Sequence, residues 1–252
     1  MARPLWKGNI QFGLVTIPVS LYSGSTSKDL RFRMLDRRNL APIRYRMVNE
    51  RTGKEVPRDR IVKGYEYEKD EYVLMGEAEF KQARREPTHL IDIFNFVPAE
   101  SIHPVYFDKP YYIEPHKAGR KTYALLRETL QRTGRTGIAT FFIQSRQHLA
   151  AVTVRDGAIV IEQMHYDEEV RDPAEHLDLP PMDLKEAGVR KNELEMAEKL
   201  VESMAGDFQP ERFRDEYRDQ LLKFIQEKIE SGQTHELAEE EEVEEEVEEA
   251  EV

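Results

Sequence analysis

The chain has 252 residues, of which 39% are hydrophobic and 34% charged, with a formal net charge of −12 and no cysteine. That length fits one large domain, or one domain with an appendage, and the missing cysteines exclude disulfides, thiolate metal sites and cysteine nucleophiles. No run of about 18 apolar residues offers a transmembrane helix, and MARPLWKGNIQFG lacks the apolar core of a signal peptide, so a cytoplasmic protein is expected.

Taken in chain order, the first 170 residues read mostly as β. Asn9–Tyr22 alternates through Ile10, Phe12 and Leu14, changes phase at Gly13, and continues through Val15, Ile17, Val19 and Leu21. A glycine at a phase change predicts a bulge or bend between two strand segments. Tyr65–Met75 predicts a hairpin with a charged tip, and Leu90–Val97 and Val105–Ile113 predict further strands. In Leu149–Met164, Asp156–Gly157 flanked by alternating segments is a strong hairpin signal. Two helices are expected here, Glu77–Arg85 and Lys121–Arg132, the second stopping at Thr133–Gly134. Short strands at this spacing favour a closed barrel or sandwich.

Beyond residue 170 the period becomes helical. Asn192–Ala205 predicts a helix capped by Asn192 with Glu195 three residues on. Pro210–Glu230 predicts another, starting on a proline, with Phe213, Tyr217 and Leu221 along one ridge and Leu222, Ile225 and Ile229 along its neighbour. The fold class is therefore mainly β with α. Residues 236–252 hold 11 glutamates and no base; such a run repels itself and is expected to be disordered.

Charge is segregated along the rest of the chain. Residues 28–63 hold 12 basic and 5 acidic side chains, residues 117–146 hold 7 and 1, and residues 162–230 hold 10 and 20. Within LRFRMLDRRNLAPIRYR (30–46), Arg31 and Arg33 alternate with Phe32 and Met34, and Arg44 and Arg46 with Ile43 and Tyr45. Side chains two apart on a strand share a face. The simplest expectation is a pair of neighbouring strands with a core side and an arginine side, joined by a connection carrying Arg37 and Arg38. Arginines two apart stand about 6.6 Å from each other at Cα, close to twice the roughly 3.4 Å rise per phosphate on one DNA strand. Forked contact with phosphate oxygens suits arginine best. A plain solvated strand face is the competing reading.

Catalysis has little support. The seven histidines form no HExxH and no tight pair, and Gly119–Thr122 lacks the spacing of a phosphate-binding loop. No GxSxG is present. Trp6 is expected in the core, with stacking on a base as the alternative. The 210–230 helix either packs on its own fold or docks a partner.

Several ordered segments together resemble the bacterial Ku proteins of non-homologous end joining: WKGNIQFGLVTIPVSLY, DLRFRMLD, RTGKEVPRDRIVKGYEYEKDEYVLM, DIFNFVPAESIHPVYFDKPYYIEP, YALLRETLQRTGRTGIATFFIQSRQHLAAV and PERFRDEYRDQLLKFIQEKIESG. The resemblance covers about residues 3–232. It implies a Ku-core β-barrel with extended bridge strands followed by a helical C-terminal arm. Two copies would form a homodimeric ring threaded on double-stranded DNA ends, blind to sequence, without catalysis or cofactor, recruiting DNA ligase D. The implied division is 1–170 for barrel and DNA-encircling bridge, 171–206 for a helical arm supporting the dimer, 207–235 for the ligase-recruiting segment and 236–252 for the acidic tail.

By position, the resemblance places Arg31, Arg33, Arg44 and Arg46 in the barrel-to-bridge passage, and Lys109, Arg120, Lys121 and Arg146 beside the DNA channel. Arg37 and Arg38, in the connection, are further candidates for DNA contact and either line the ring or face water. Phe213, Tyr217, Leu221 and Phe224 fall in the ligase-recruiting segment. Many family members carry a CxxC pair where Asn49 and Thr52 stand here, so no zinc is expected. Many end in a lysine-rich tail, where this chain has glutamates. The tail is expected either to aid solubility or to occupy the basic channel as a phosphate mimic. The alternative to a ring is an open groove for duplex DNA or structured RNA. A third reading, a lysine-dependent lyase at abasic sites, has no activated lysine to support it.

Overall fold

A computed structural model describes residues 3–83, 88–143 and 146–235. The chain divides into two compact units. Residues up to 27 together with 33–180 form one, and residues 28–32 together with those from 181 onward form the other. The acidic tail expected at 236–252 lies outside the described residues.

The first unit is built on a closed seven-stranded barrel. Its strands are β1 (Trp6–Phe12), β2 (Val15–Ser23), β5 (Leu90–Pro98), β6 (Phe107–Pro115), β7 (Arg135–Ile143), β8 (Arg146–Arg155) and β9 (Ala158–Met164), in the order β1-β2-β6-β9-β8-β7-β5. All neighbours are antiparallel except β5 and β1, whose parallel pairing closes the barrel. Alternation fills the interior, as period two requires. Ile10, Ile17, Val19, Leu21, Ile91, Ile93, Ile113, Phe141, Val152, Ile159 and Ile161 are all buried in one cluster.

The phase change at Gly13 is a full reversal rather than a bend. Phe12 faces Val15 across a two-residue turn, with Gly13 at φ 55°. A left-handed first position is what a II′ hairpin needs, and glycine takes it without steric cost. At the other predicted hairpin Asp156 and Gly157 both have positive φ, 47° and 76°, the I′ pattern that matches strand twist. A register shift between Ile93 and Asn95 turns Phe94 outward and returns Phe96 to the core.

Strand β7 has no counterpart among the predicted elements. Its RTGIATFFI carries apolar residues on both faces, Ile138 and Phe142 as well as Ala139 and Phe141, so period two is hidden. Likewise β6 starts at Phe107, because Pro104–Tyr106 forms a 3-10 turn ahead of it. One barrel end is closed by helix α2 (Arg120–Thr133), which buries Tyr123, Leu126 and Leu130 and ends at Gly134. Here β6 and β9 part after Tyr112 and Val160. The Tyr123 hydroxyl fills the gap, donating to Ile113 O at 3.1 Å and accepting from Ile159 N at 2.7 Å.

Between β2 and β5 the chain makes a long excursion, residues 24–88. It carries the two-stranded sheet β3 (Lys63–Glu68) and β4 (Glu71–Met75) and the helix α1 (Glu77–Ala83). Of the helix expected at Glu77–Arg85, the last two positions lie outside the described residues. No described residue of the excursion is buried.

The short helix α3 (Pro173–His176) closes the first unit. The second unit holds α4 (Lys191–Met204) and α5 (Glu216–Glu230). Both helix starts differ from expectation. The Glu193 carboxylate, not that of Glu195, reaches back, to the Arg190 amide at 2.9 Å. Pro210–Arg212 is a separate 3-10 turn, and α5 begins after Asp215, whose carboxylate accepts from Arg218 N at 3.0 Å. An aspartate accepting from a first-turn amide is a strong helix start, so Phe213 falls outside the helix. Among the described residues no helix is long and apolar enough to cross a membrane.

Candidate nucleic-acid interface

Residues 30–46 do not form the two strands with a core side that alternation predicts. They run extended and pair loosely through the bridge Leu35↔Pro42 and the bond from Ile43 N to Met34 O at 3.1 Å. The side chains expected in the core are exposed: Phe32 at 68%, Met34 at 51%, Ile43 at 52% and Tyr45 at 88%. The alternation is real, but the described residues bury none of the apolar side.

The connection is a tight turn. Asp36 N donates to Ala41 O at 2.9 Å and Leu40 N to Asp36 O at 2.7 Å. The Asp36 carboxylate receives the Arg38 guanidinium in a fork, at 3.0 Å from Nε and 2.7 Å from a terminal nitrogen. Hydrogen bonds from Arg38 hold that carboxyl below its ordinary value. Arg46 pairs with Glu55 at 2.8 Å. Arg31, Arg33, Arg37 and Arg44 are exposed and make no side-chain hydrogen bond or ion pair among the described residues. Two of the six arginines are thus committed to carboxylates and four present unneutralised forks.

A second knuckle follows at Asn49–Lys54. The Asn49 side-chain oxygen accepts from Arg51 N, Thr52 N and Thr52 Oγ1 at 3.0–3.2 Å, and Asn49 N donates to Lys54 O at 2.8 Å. Asn49 and Thr52 are therefore hydrogen-bonded to each other. No group of three or more potential metal ligands occurs among the described residues.

Of the other basic positions, Lys109 and Arg146 come together and Arg120 and Lys121 do not join them. Lys109 near the start of β6 and Arg146 at the start of β8 flank the barrel end opposite α2. This open mouth has a cavity of about 610 Å³ that Trp6, Tyr111, His148 and Gln163 also line. Arg120 and Lys121 open α2 at the far end. Trp6 packs against the core cluster, as expected, and its ring stands 6.3 Å from that of His89. Sequence reading passed over His148, although β8 alternation carries it: Ala150 and Val152 face inward, so His148 and Arg146 follow them towards the mouth. Burial, and after it the Arg146 guanidinium, push the His148 imidazole below the ordinary histidine value.

In the second unit Tyr217 and Phe224 are exposed on α5 and Leu221 is half-buried. Tyr217, Arg218 and Leu221 share a groove with Asp29, Leu30 and Phe32, so residues 28–32 lie along α5. Phe213, ahead of the helix, stacks on Phe208 with ring centroids 5.9 Å apart. No local signal linked 28–32 to a helix nearly 190 positions away.

The fold is a closed barrel that carries a long basic segment none of whose described residues is buried. The family model described as the Ku70/Ku80 beta-barrel domain matches residues 11–196. The protein from Cupriavidus necator described as non-homologous end joining protein Ku is 51% identical over 96% of this chain and 72% of its own length. Those of the same description from Coxiella burnetii and Bacillus subtilis are 45% and 38% identical, over 95% and 91% of this chain and 87% and 73% of their own. The chain belongs to the Ku family.

Proposed function

We propose that this chain binds double-stranded DNA ends without regard to sequence, as a ring-shaped homodimer in non-homologous end joining, and that it performs no chemistry itself. The observation that carries this reading is the excursion at 24–88: its described residues are held by turns, bridges, one hairpin and the short helix α1, yet none is buried. A two-stranded sheet alone is marginal in water. Phe32, Ile43, Tyr65, Tyr67, Val73 and Leu74 stay exposed, and apolar patches of this kind mark interfaces. A second copy supplies the missing cover, and the unpaired arginines supply charge to phosphate. In this reading residues 1–170 are barrel and bridge, 171–206 support the dimer, and 207–235 recruit DNA ligase D through Tyr217, Leu221 and Phe224, with Phe213 beside them.

The test is topological. Protein is loaded on a linear duplex, which is then circularised and challenged with competitor DNA in high salt. A threaded ring stays trapped on the circle and escapes once the circle is cut. Equal release from circle and line, or equal initial affinity for circles, replaces the ring by an open groove. Ligase recruitment is read separately, as pull-down of DNA ligase D by the full chain and its loss on Phe224→Ala.

A further inference from the structure

The barrel mouth opens on the end from which the basic excursion departs. The chain leaves β2 at Ser23 and returns at Leu90, and Gly24 N donates to Pro110 O at 2.9 Å, next to Lys109. The mouth walls combine two chemistries. One is cationic: Lys109 and Arg146, the latter's side chain without a hydrogen bond or ion pair among the described residues. Asp108 offsets part of this charge, 3.7 Å from Lys109 Nζ. The Asp108 carboxylate also accepts from Gln163 Nε2 at 2.8 Å, and Tyr111 Oη donates to Gln163 Oε1 at 3.3 Å. These bonds fix the polar floor. The other chemistry is aromatic: Trp6 and His148, the latter 5.7 Å from the Phe141 ring beneath.

A cavity of about 610 Å³ lies within the roughly 300–1,000 Å³ range of small-ligand sites. A forked guanidinium beside an ammonium suits a phosphate and an indole suits a base or sugar face. We propose that the barrel mouth binds a nucleoside phosphate, its phosphate held by Arg146 and Lys109 and its base set against Trp6. The ligand is either a free mononucleotide or the 5′-phosphorylated terminal nucleotide of a strand. The inference is argued from the barrel's own geometry and does not require a ring, although Lys109 and Arg146 are also among the residues expected beside the DNA channel.

Trp6 is the only tryptophan of the chain, so its emission reports this cavity directly. The full chain is titrated with AMP, with adenosine, with inorganic pyrophosphate and with a 5′-phosphorylated trinucleotide, with excitation at the red edge of indole absorption. Expected are a saturable emission change with AMP and the trinucleotide at Kd below about 1 mM, competition by pyrophosphate, and at least about ten-fold weakening in Arg146→Gln and Lys109→Gln. Tighter binding of AMP identifies a free nucleotide as the ligand, and tighter binding of the trinucleotide a strand end. No saturable change with either, adenosine binding as tightly as AMP, or unaltered affinity in both variants overturns the proposal. Duplex-end binding, read by mobility shift on the unsubstituted chain, tells failure of this site from failure of the proposed function.

Discussion

Arg218 donates its Nε–H to the backbone carbonyl of Lys28 at 3.0 Å, across 190 positions of sequence. This bond ties the segment that carries Arg31 to the helix that carries Tyr217 and Leu221. Arg218→Leu removes the donor. A bond of this kind contributes about 1 kcal/mol net, so amide exchange at 28–32 is expected to quicken about five-fold by mass spectrometry while barrel amides stay unchanged. Unaltered exchange at 28–32 would show that the groove, and not this bond, holds the segment.

The arginines should divide by their partners. Each phosphate neutralised adds about 0.9 to the slope of log K against log salt. Replacing Arg31 and Arg44 together by glutamine is expected to weaken duplex binding for every sequence alike and flatten the slope by about 1.8. Arg38→Gln removes a guanidinium already engaged by Asp36, and a smaller change in slope is expected. Fluorescence anisotropy across a salt series measures both.

How far the sequence carried this reading depends on where each partner lay. The barrel strands with one apolar face announced themselves, because Ile10, Ile17 and Val152 obey period two. Strand β7 did not, since Ile138 and Phe142 cover its outer face. The charge at 30–46 was plain, but its expected core side was not there: alternation tells which side chains share a face and leaves open whether the same chain covers it. The mouth united Lys109, Arg146 and Trp6 from three distant segments, a juxtaposition only barrel closure creates. Asp215 ended the expected Phe213 ridge because a good cap outweighs a four-residue spacing.

Tyr123→Phe tests the seam between β6 and β9. It keeps the ring and deletes the hydroxyl, leaving Ile159 N–H and Ile113 C=O without their shared partner. Stranding buried polar groups costs about 1–3 kcal/mol. The guanidinium midpoint should fall accordingly with little change in its slope, and DNA affinity of the folded variant should stay the same.

His148 gives a pH signature. Its folded value lies below the unfolded one because burial and Arg146 disfavour the charged ring, with Lys109 adding to this and Asp108 and Glu169 opposing it. The unfolded chain therefore binds the proton more readily. Stability from this group is fully present above the ordinary histidine value and is lost as pH falls from there through the lower folded value. The wild type should lose more thermal stability than His148→Gln between pH 7.5 and about 5.5, the interval set by the reference histidine value near 6.5. Equal losses would place the ring in water.

The Asn49 carboxamide fixes its knuckle through three acceptor bonds. Asn49→Ala should speed amide exchange at Thr52 and Gly53, while Asn49→Asp, which keeps the acceptor, should not. That turn draws its shape from a group with no proton to lose near neutrality, no electron to give and no ion to surrender. Its geometry should be indifferent to chelators, peroxide and thiol reductants alike, so the basic segment it belongs to keeps its form across the whole redox range in which a thiolate knuckle would open.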